Sequence, residues 1–268
     1  MPPAAGPRLF IAGSSSAVPR PGCANSGYLL RSAGATIVAD LGSGALSKLL
    51  CEVAIGEIDA IVISHMHADH FFDLIPLRYG LKYELFRKTP MPVYLPANGS
   101  SALRQVARPL KETDDFFGGL FDLREYGAGD ILRFGDTTVT FAPARHYIPA
   151  YALRMQTPDG VVTFSSDTAP CESVVEHARN ADIFLCECAL GPDGAETGDV
   201  KGHSSAKDAG EMAARANVEH LVLTHYGANF DPYELRAAAA GRFGGSITIA
   251  DDGLEIALEK RHGLGQQT

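Results

Sequence analysis

Three of the chain's nine histidines fall within six positions, in His65-Met66-His67-Ala68-Asp69-His70. The apolar run Ala60–Ser64 ends immediately before them. Chains that alternate strands and helices tend to place their chemistry where a strand gives way to a loop. Burying these side chains without partners would cost on the order of several kcal/mol. A ligand that takes up their lone pairs removes that cost. Imidazole nitrogen and carboxylate oxygen together suit zinc, manganese or iron.

Regular elements must hold such a cluster. Short β-branched or apolar runs bounded by Gly, Pro, Asp or Asn predict strands at Leu9–Ala12, Tyr28–Arg31, Ala35–Asp40, Ala60–Ser64 and Val93–Leu95. The same pattern recurs at Ile131–Phe134, Val139–Pro143, Tyr151–Met155, Val161–Ser165, Ile183–Glu187, His220–Thr224, Ser246–Ala250 and Leu254–Leu258. Helical periodicity begins near Ser43, Asp73, Ser100, Ser173, Ser204 and Pro232. The helix after Ser204 has the clearest start. Ser205 and Asp208 fit a capping box, and Ala206, Ala209, Ala213 and Ala216 form a small-residue face suited to close packing on a sheet. No internal repeat or linker is visible. Two sheets covered by helices would bury these elements in one α/β domain spanning residues 1–268.

Composition narrows the function classes. The chain has 268 residues, 46% hydrophobic and 21% charged, which is globular and excludes a disordered chain. No apolar run reaches the ~18 residues of a membrane helix. Met1 to Arg8 lacks the basic-then-apolar order of a secretion signal, so no signal peptide is expected, and the cysteine usage leads to the expectation of a cytoplasmic protein. Acids exceed Lys and Arg by 32 to 23, a net charge of −9. That balance weighs against a long nucleic-acid partner but not against a small anionic ligand held by metal. The five cysteines, Cys23, Cys51, Cys171, Cys186 and Cys188, have no regular spacing and read as reduced thiols. Cys186 and Cys188 read as buried strand residues.

The His-x-His-x-Asp-His run after a strand resembles the signature of the metallo-β-lactamase superfamily. That resemblance implies a four-layer αββα sandwich and further ligands in a set order. His146 in Pro143-Ala144-Arg145-His146, Asp167 in Ser165-Ser166-Asp167-Thr168 and His225 in Leu223-Thr224-His225-Tyr226 match that order, each after an apolar strand. The resemblance then implies two divalent ions, zinc or manganese. His65, His67 and His146 would hold one, Asp69, His70 and His225 the other, and Asp167 would bridge them. Two ions ~3.5–4 Å apart can share a hydroxide of lowered pKa, and the bridging carboxylate offsets their repulsion. Asp167 stands where the β-lactamases carry a cysteine or lack the aspartate, which points to other hydrolases. Asp40, in Ala39-Asp40-Leu41-Gly42-Ser43-Gly44, resembles the family's first motif and is expected to orient the ligand loop.

Gly202-His203-Ser204-Ser205, with Leu223-Thr224-His225-Tyr226 downstream, is similar to the ribonuclease Z-like phosphodiesterase branch. There a histidine in the place of His203 protonates the leaving oxygen, helped by an acid in the place of Glu187. Pairing with a carboxylate raises a histidine's pKa and keeps it a proton donor near neutrality. The competing readings are a helix-capping His203 and a strand-end ion pair at Glu187. His177, His220 and His262 are assigned no role. Members that process transfer RNA commonly carry a long Gly/Pro-rich arm between the third motif and the bridging aspartate. Here only 21 residues separate His146 from Asp167. The expectation is therefore a phosphodiesterase of small substrates, 3′,5′-cyclic nucleotides above all, acting through the bridging hydroxide with Asp69 orienting it. A tRNA 3′-end endonuclease is the alternative, and a lactonase or thioester hydrolase a further one. Tyr147, Ile148 and Tyr226 are candidate pocket residues, Arg78 a candidate ion-pair partner, and the Asp73–Lys88 segment an interface or pocket cover. No membrane partner is expected, and a homodimer is suggested by the resemblance alone.

Overall fold

Strong alternation is scarce in this chain because most of its strands are covered on both faces. The computed structural model describes residues 6–110 and 115–258. The first sheet is built from β1 (Arg8–Gly13), β2 (Gly27–Arg31), β3 (Thr36–Leu41), β4 (Ala60–Val62), β5 (Met91–Pro96) and β6 (Phe121–Tyr126). The second comprises β7 (Ile131–Phe134), β8 (Thr137–Pro143), β9 (Tyr151–Thr157), β10 (Gly160–Phe164), β11 (Ile183–Glu187), β12 (His220–Thr224) and β13 (Ser246–Ile249). A last strand, β14 (Glu255–Ala257), returns to the first sheet beside β1.

Each sheet has an antiparallel part and a parallel part. In the first, β14, β1, β2 and β3 pair antiparallel, and β3 to β6 pair parallel. In the second, β7 to β10 pair antiparallel, and β10 to β13 pair parallel. Parallel neighbours need crossovers, and the helices supply them. In the first sheet these are α1 (Ala45–Glu52), α2 (Ala68–Phe71), α3 (Leu74–Tyr83) and α4 (Gly99–Ala107). In the second they are α5 (Glu172–His177), α6 (Ala206–Ala216) and α7 (Pro232–Ala240). The two halves thus repeat one plan of hairpins followed by crossovers, although no sequence repeat announces it.

Three apolar layers define the four-layer αββα sandwich. Leu49, Ile61, Leu74 and Leu103 pack between the first sheet and its helices. Tyr28, Ile37, Phe164 and Leu185 pack between the sheets. Phe184, Met212, Ala213 and Leu221 pack between the second sheet and its helices. The capping box at Ser205 and Asp208 is present, and Ala206, Ala209, Ala213 and Ala216 are all buried. Cys186 and Cys188 are buried thiols, as expected.

One strand and one α-helix among the described residues escaped the sequence reading. β6, Phe-Asp-Leu-Arg-Glu-Tyr, carries three charges and lies at the sheet edge, where Arg124 and Glu125 are exposed. The single-turn helix α2 is too short to show a period. The helix begun near Asp73 stops at Tyr83, short of Lys88. Its Arg78 is buried. Its Nε donates to the Phe116 carbonyl at 2.8 Å, and its guanidinium lies 4.3 Å from the Phe116 ring centre.

Candidate metal centre

The C-terminal ends of the parallel strands of both sheets converge on one edge of the sandwich. β3 ends beside Asp40. β4 runs into Ser64 and His65, and α2 carries Asp69 and His70 with His67 at its start. In the second sheet Phe164 of β10 pairs with Leu185, and Glu187 of β11 with Thr224. That register sets Asp167, Glu187 and His225 side by side. Two tyrosines fix the strand ends, Tyr126 within the first sheet and Tyr28 across to the second. The Tyr126 hydroxyl donates to the Ile63 carbonyl at 2.7 Å, and the Tyr28 hydroxyl lies 3.0 Å from Thr224 Oγ1.

Backbone strain collects at this edge. Six non-glycine residues among those described have positive φ. Three are asparagines, a residue type that tolerates the left-handed region. The others are Asp40 (58°), Ser166 (57°) and His225 (54°), all in the centre. Such residues cost roughly 1–3 kcal/mol each. A single large apolar side chain buried in the core returns about as much, so the surrounding packing easily holds them.

Two clusters form around Asp167. In the first, His67 Nδ1 lies 3.2 Å from His65 Nε2 and 3.0 Å from His146 Nε2, and Asp167 Oδ2 is 3.7 Å from His65 Nε2. In the second, His70 Nε2 is 3.5 Å from Asp69 Oδ2 and 3.4 Å from Asp167 Oδ1. There His225 Nε2 lies 3.3 Å from Asp167 Oδ2 and 3.9 Å from Asp69 Oδ2. Within each cluster the four candidate donor atoms lie within 4.8 Å of one another.

Hydrogen bonds on the far side of three of these rings aim their atoms inward. His70 Nδ1 is 2.6 Å from Asp40 Oδ2, and Asp40 also accepts from the Ser64 N–H (2.6 Å) and hydroxyl (2.8 Å). His146 Nδ1 donates to the Gly202 carbonyl at 2.8 Å, and His225 Nδ1 meets Ser26 Oγ at 3.0 Å. Such partners fix the tautomer and leave Nε2 free for a ligand. Burial keeps His65 well below its ordinary pKa and lowers His146 to about 4, so both rings are neutral. Burial alone would raise Asp167, but His225, His70 and His65 outweigh it and keep the carboxylate ionised.

The donor set fits divalent cations. His70 Nε2 and Asp167 Oδ1 are buried yet have no hydrogen-bond partner, which a cation between them would satisfy. Three imidazole nitrogens 3.0–3.2 Å apart face one another in the first cluster, an arrangement whose lone pairs repel unless a cation or proton intervenes.

His203 stands at the mouth, its ring centre 5.0 Å from that of His146. Its Nδ1 is 3.0 Å from Glu187 Oε1. Glu187 is fully buried and also accepts from the N–H groups of Thr168 (2.8 Å) and Ala189 (2.9 Å). Burial would lower His203, but the Glu187 hydrogen bond and charge raise it to about 9. His203 caps no helix, because Ser205 caps the one that follows, and the strand-end ion pair expected as an alternative at Glu187 is present with His203 as its partner.

The seven candidate ligands and Asp40 also lie at this edge. Tyr147 sits beside His146 and His203 and is 48% exposed. Tyr226 is not a pocket residue. Its ring is buried under Arg20, and its hydroxyl donates to the Ala250 carbonyl at 3.0 Å. His177 and His220 are engaged with Thr140 and Thr248, away from the centre, and His262 lies outside the described residues. Ser26, Ser64 and the Gly202 carbonyl went unnoticed in the sequence, because small polar residues and backbone atoms carry no signal of their own. A third acidic group, Cys23, Asp251 and Asp252, is tied up by Arg20 and Lys48.

Residues 44–226 match the beta-lactamase superfamily domain. The chain is 29% identical to an uncharacterized protein of Mycobacterium tuberculosis, over 93% of this chain and 92% of that one. It is 28% identical to the "Probable metallo-hydrolase YhfI" of Bacillus subtilis, over 92% and 98%. The crystal structure of YhfI superposes with a TM-score of 0.82 at 26% identity, over 94% and 100%. It is 26% identical to ribonuclease Z of Thermobifida fusca, over 97% of each chain. That alignment spans 318 positions against the 268 residues here, so the relative carries at least 50 (318 − 268) without counterpart.

Proposed function

We infer the function from one premise: the chain belongs to the beta-lactamase superfamily. Its relatives YhfI and ribonuclease Z support a metal-dependent hydrolase. Within that class we propose a phosphodiesterase of small substrates, most of all 3′,5′-cyclic nucleotides. The observation that carries the reading is the His203–Glu187 pair, a protonated donor set against the two clusters. A phosphodiester expels an alkoxide, which needs such a donor. A thioester hydrolase expels a thiolate, which is stable near neutrality, and has less use for one at that place.

His65, His67 and His146 would hold one divalent ion, Asp69, His70 and His225 a second, and Asp167 would touch both. When bound, the ions would supply Lewis-acid stabilisation of charge on the phosphoryl oxygens and acidify water. Zinc is the first choice and manganese the second. Asp69 faces His70 and His225 and would also orient the attacking water. Glu187 holds His203 protonated, and His203 delivers its proton to the departing oxygen.

A second reading, a tRNA 3′-end endonuclease, draws on the ribonuclease Z relative. The short interval from His146 to Asp167 and the charge of −9 favour small substrates instead. The proposal also takes residues 1–268 as one domain, a homodimer and a cytoplasmic setting. Free cysteines support the last, and no described helix is long and apolar enough to cross a membrane.

The test is to incubate the metal-loaded protein with 3′,5′-cyclic AMP and follow 5′-AMP by chromatography, with His65→Ala as control. Turnover lost in the control supports the reading. No turnover with metal at both clusters removes cyclic AMP, and a precursor tRNA becomes the next substrate tried. His203→Ala should lower turnover about 10²–10⁴-fold with metal retained.

A further inference from the structure

Nothing so far explains what holds the backbone between His146 and His203. Residues 194–205 lack helix and strand. Within them one carboxylate serves three donors. Glu196 Oε2 accepts the N–H of Gly202 at 2.7 Å and that of His203 at 3.2 Å, and the Tyr147 hydroxyl donates to Oε1. The Gly202 carbonyl in turn accepts from His146 Nδ1. Tyr147 follows His146 in the chain, so the contacts close into a ring: His146, Tyr147, Glu196, Gly202 and back to His146. The ring is tight. A Cβ on Gly202 would lie 2.6 Å from the Tyr147 ring and 3.0 Å from His146 Nδ1.

We propose that Glu196 is a positioning residue that sets the His146 ring and the His203 ring in register with each other. A carboxylate that only capped its own loop would bind neighbouring N–H groups. This one also takes a hydroxyl from a residue 49 positions away that flanks a candidate metal ligand. Losing it would free the Gly202 carbonyl from His146 and the His203 backbone from its anchor in one step. The inference rests on the reading of His146 as a ligand and His203 as proton donor, and its two readouts separate the parts.

The experiment uses the full chain with Glu196→Ala, Glu196→Gln and Tyr147→Phe. The first readout is cobalt(II) titration followed by visible absorption, which needs no substrate. Glu196→Ala should weaken one of the two ions by about 10–100-fold and alter its spectrum. Glu196→Gln, which keeps an acceptor for the two N–H groups, should restore most of the loss. Tyr147→Phe, which keeps the ring, should give a smaller change in the same direction and serves if the alanine variant does not fold. The second readout compares bis(4-nitrophenyl) phosphate, whose leaving group needs no proton, with 3′,5′-cyclic AMP. Glu196→Ala should lower kcat more for the cyclic nucleotide. An unchanged cobalt titration in Glu196→Ala, a glutamine variant as impaired as the alanine one, or no change in Tyr147→Phe overturns the proposal. If His203→Ala loses both substrates equally, the proton-donor reading fails, and the cobalt titration still decides on Glu196.

Discussion

The two clusters that share Asp167 are held in different ways. His70 and His225 are buried. Asp40 and Ser26 secure them, and both residues come from the antiparallel strands of the first sheet or their immediate margins. His67 and His146 are only partly buried, and a carbonyl on an irregular segment orients His146. Regular elements therefore prepare one cluster, while in the other His65 is held by its burial just past β4 and His146 depends on the Glu196 loop. The difference places adaptability on the side where His203 and Tyr147 stand beside His146. Rigid packing stays on the side that bears the strained Asp40 and His225 backbones.

Removing a ligand from each side tests this most severely. His70→Ala takes away a buried ring and strands the Asp40 carboxylate, so metal content should fall toward zero and the melting temperature should drop. His67→Ala should leave about one ion per chain and a melting temperature near that of the parent protein. Elemental analysis and thermal unfolding read both, and equal metal loss in the two variants would erase the asymmetry.

A smaller effect concerns the proton donor. Glu187 raises His203 to about 9, and the donor is the protonated form, so activity should fall as pH rises through that value. Glu187→Gln removes the charge and lets His203 fall toward its ordinary value of about 6.5. The alkaline limb of the kcat profile should then move to lower pH by roughly 1–2 units. A limb that stays put would take Glu187 out of the mechanism.

Gly202→Ala pushes a methyl group into the Tyr147 ring and the His146 contact. It should weaken one ion by about 10-fold, as loss of an orienting partner does. Ser26→Ala removes one hydrogen bond behind His225, worth about 1 kcal/mol. Because packing still fixes that ring, metal affinity should change only a few-fold. Competitive chelator titration ranks the two, and a larger effect at Ser26 would reverse the comparison.

The candidate ligands were legible because each combines a telling residue type with a position just past an apolar strand. His65 through His70, His146, Asp167 and His225 all satisfy both conditions. Glu187 ends such a strand, whereas His203 follows none and was legible only through the resemblance that Gly202-His203-Ser204-Ser205 carries. Tyr226 misled because adjacency to His225 says nothing about where a ring points. In the fold the ring turns inward and its hydroxyl reaches Ala250. β6 was missed because an edge strand buries too little to impose a pattern on its sequence.

By itself the sequence determined the positions of all the strands but β6, most helix starts, the small-residue face of α6 and the residue types gathered at the strand ends. These are local properties, fixed by periodicity, capping and the cost of burying unpaired imidazoles. Only the tertiary structure decided which side chains share a cluster and which backbone atoms orient them. It also decided that Glu196 ties Tyr147 to Gly202 and His203. Those relations join residues tens of positions apart across two sheets, and the packing between the sheets sets the angle at which their edges meet.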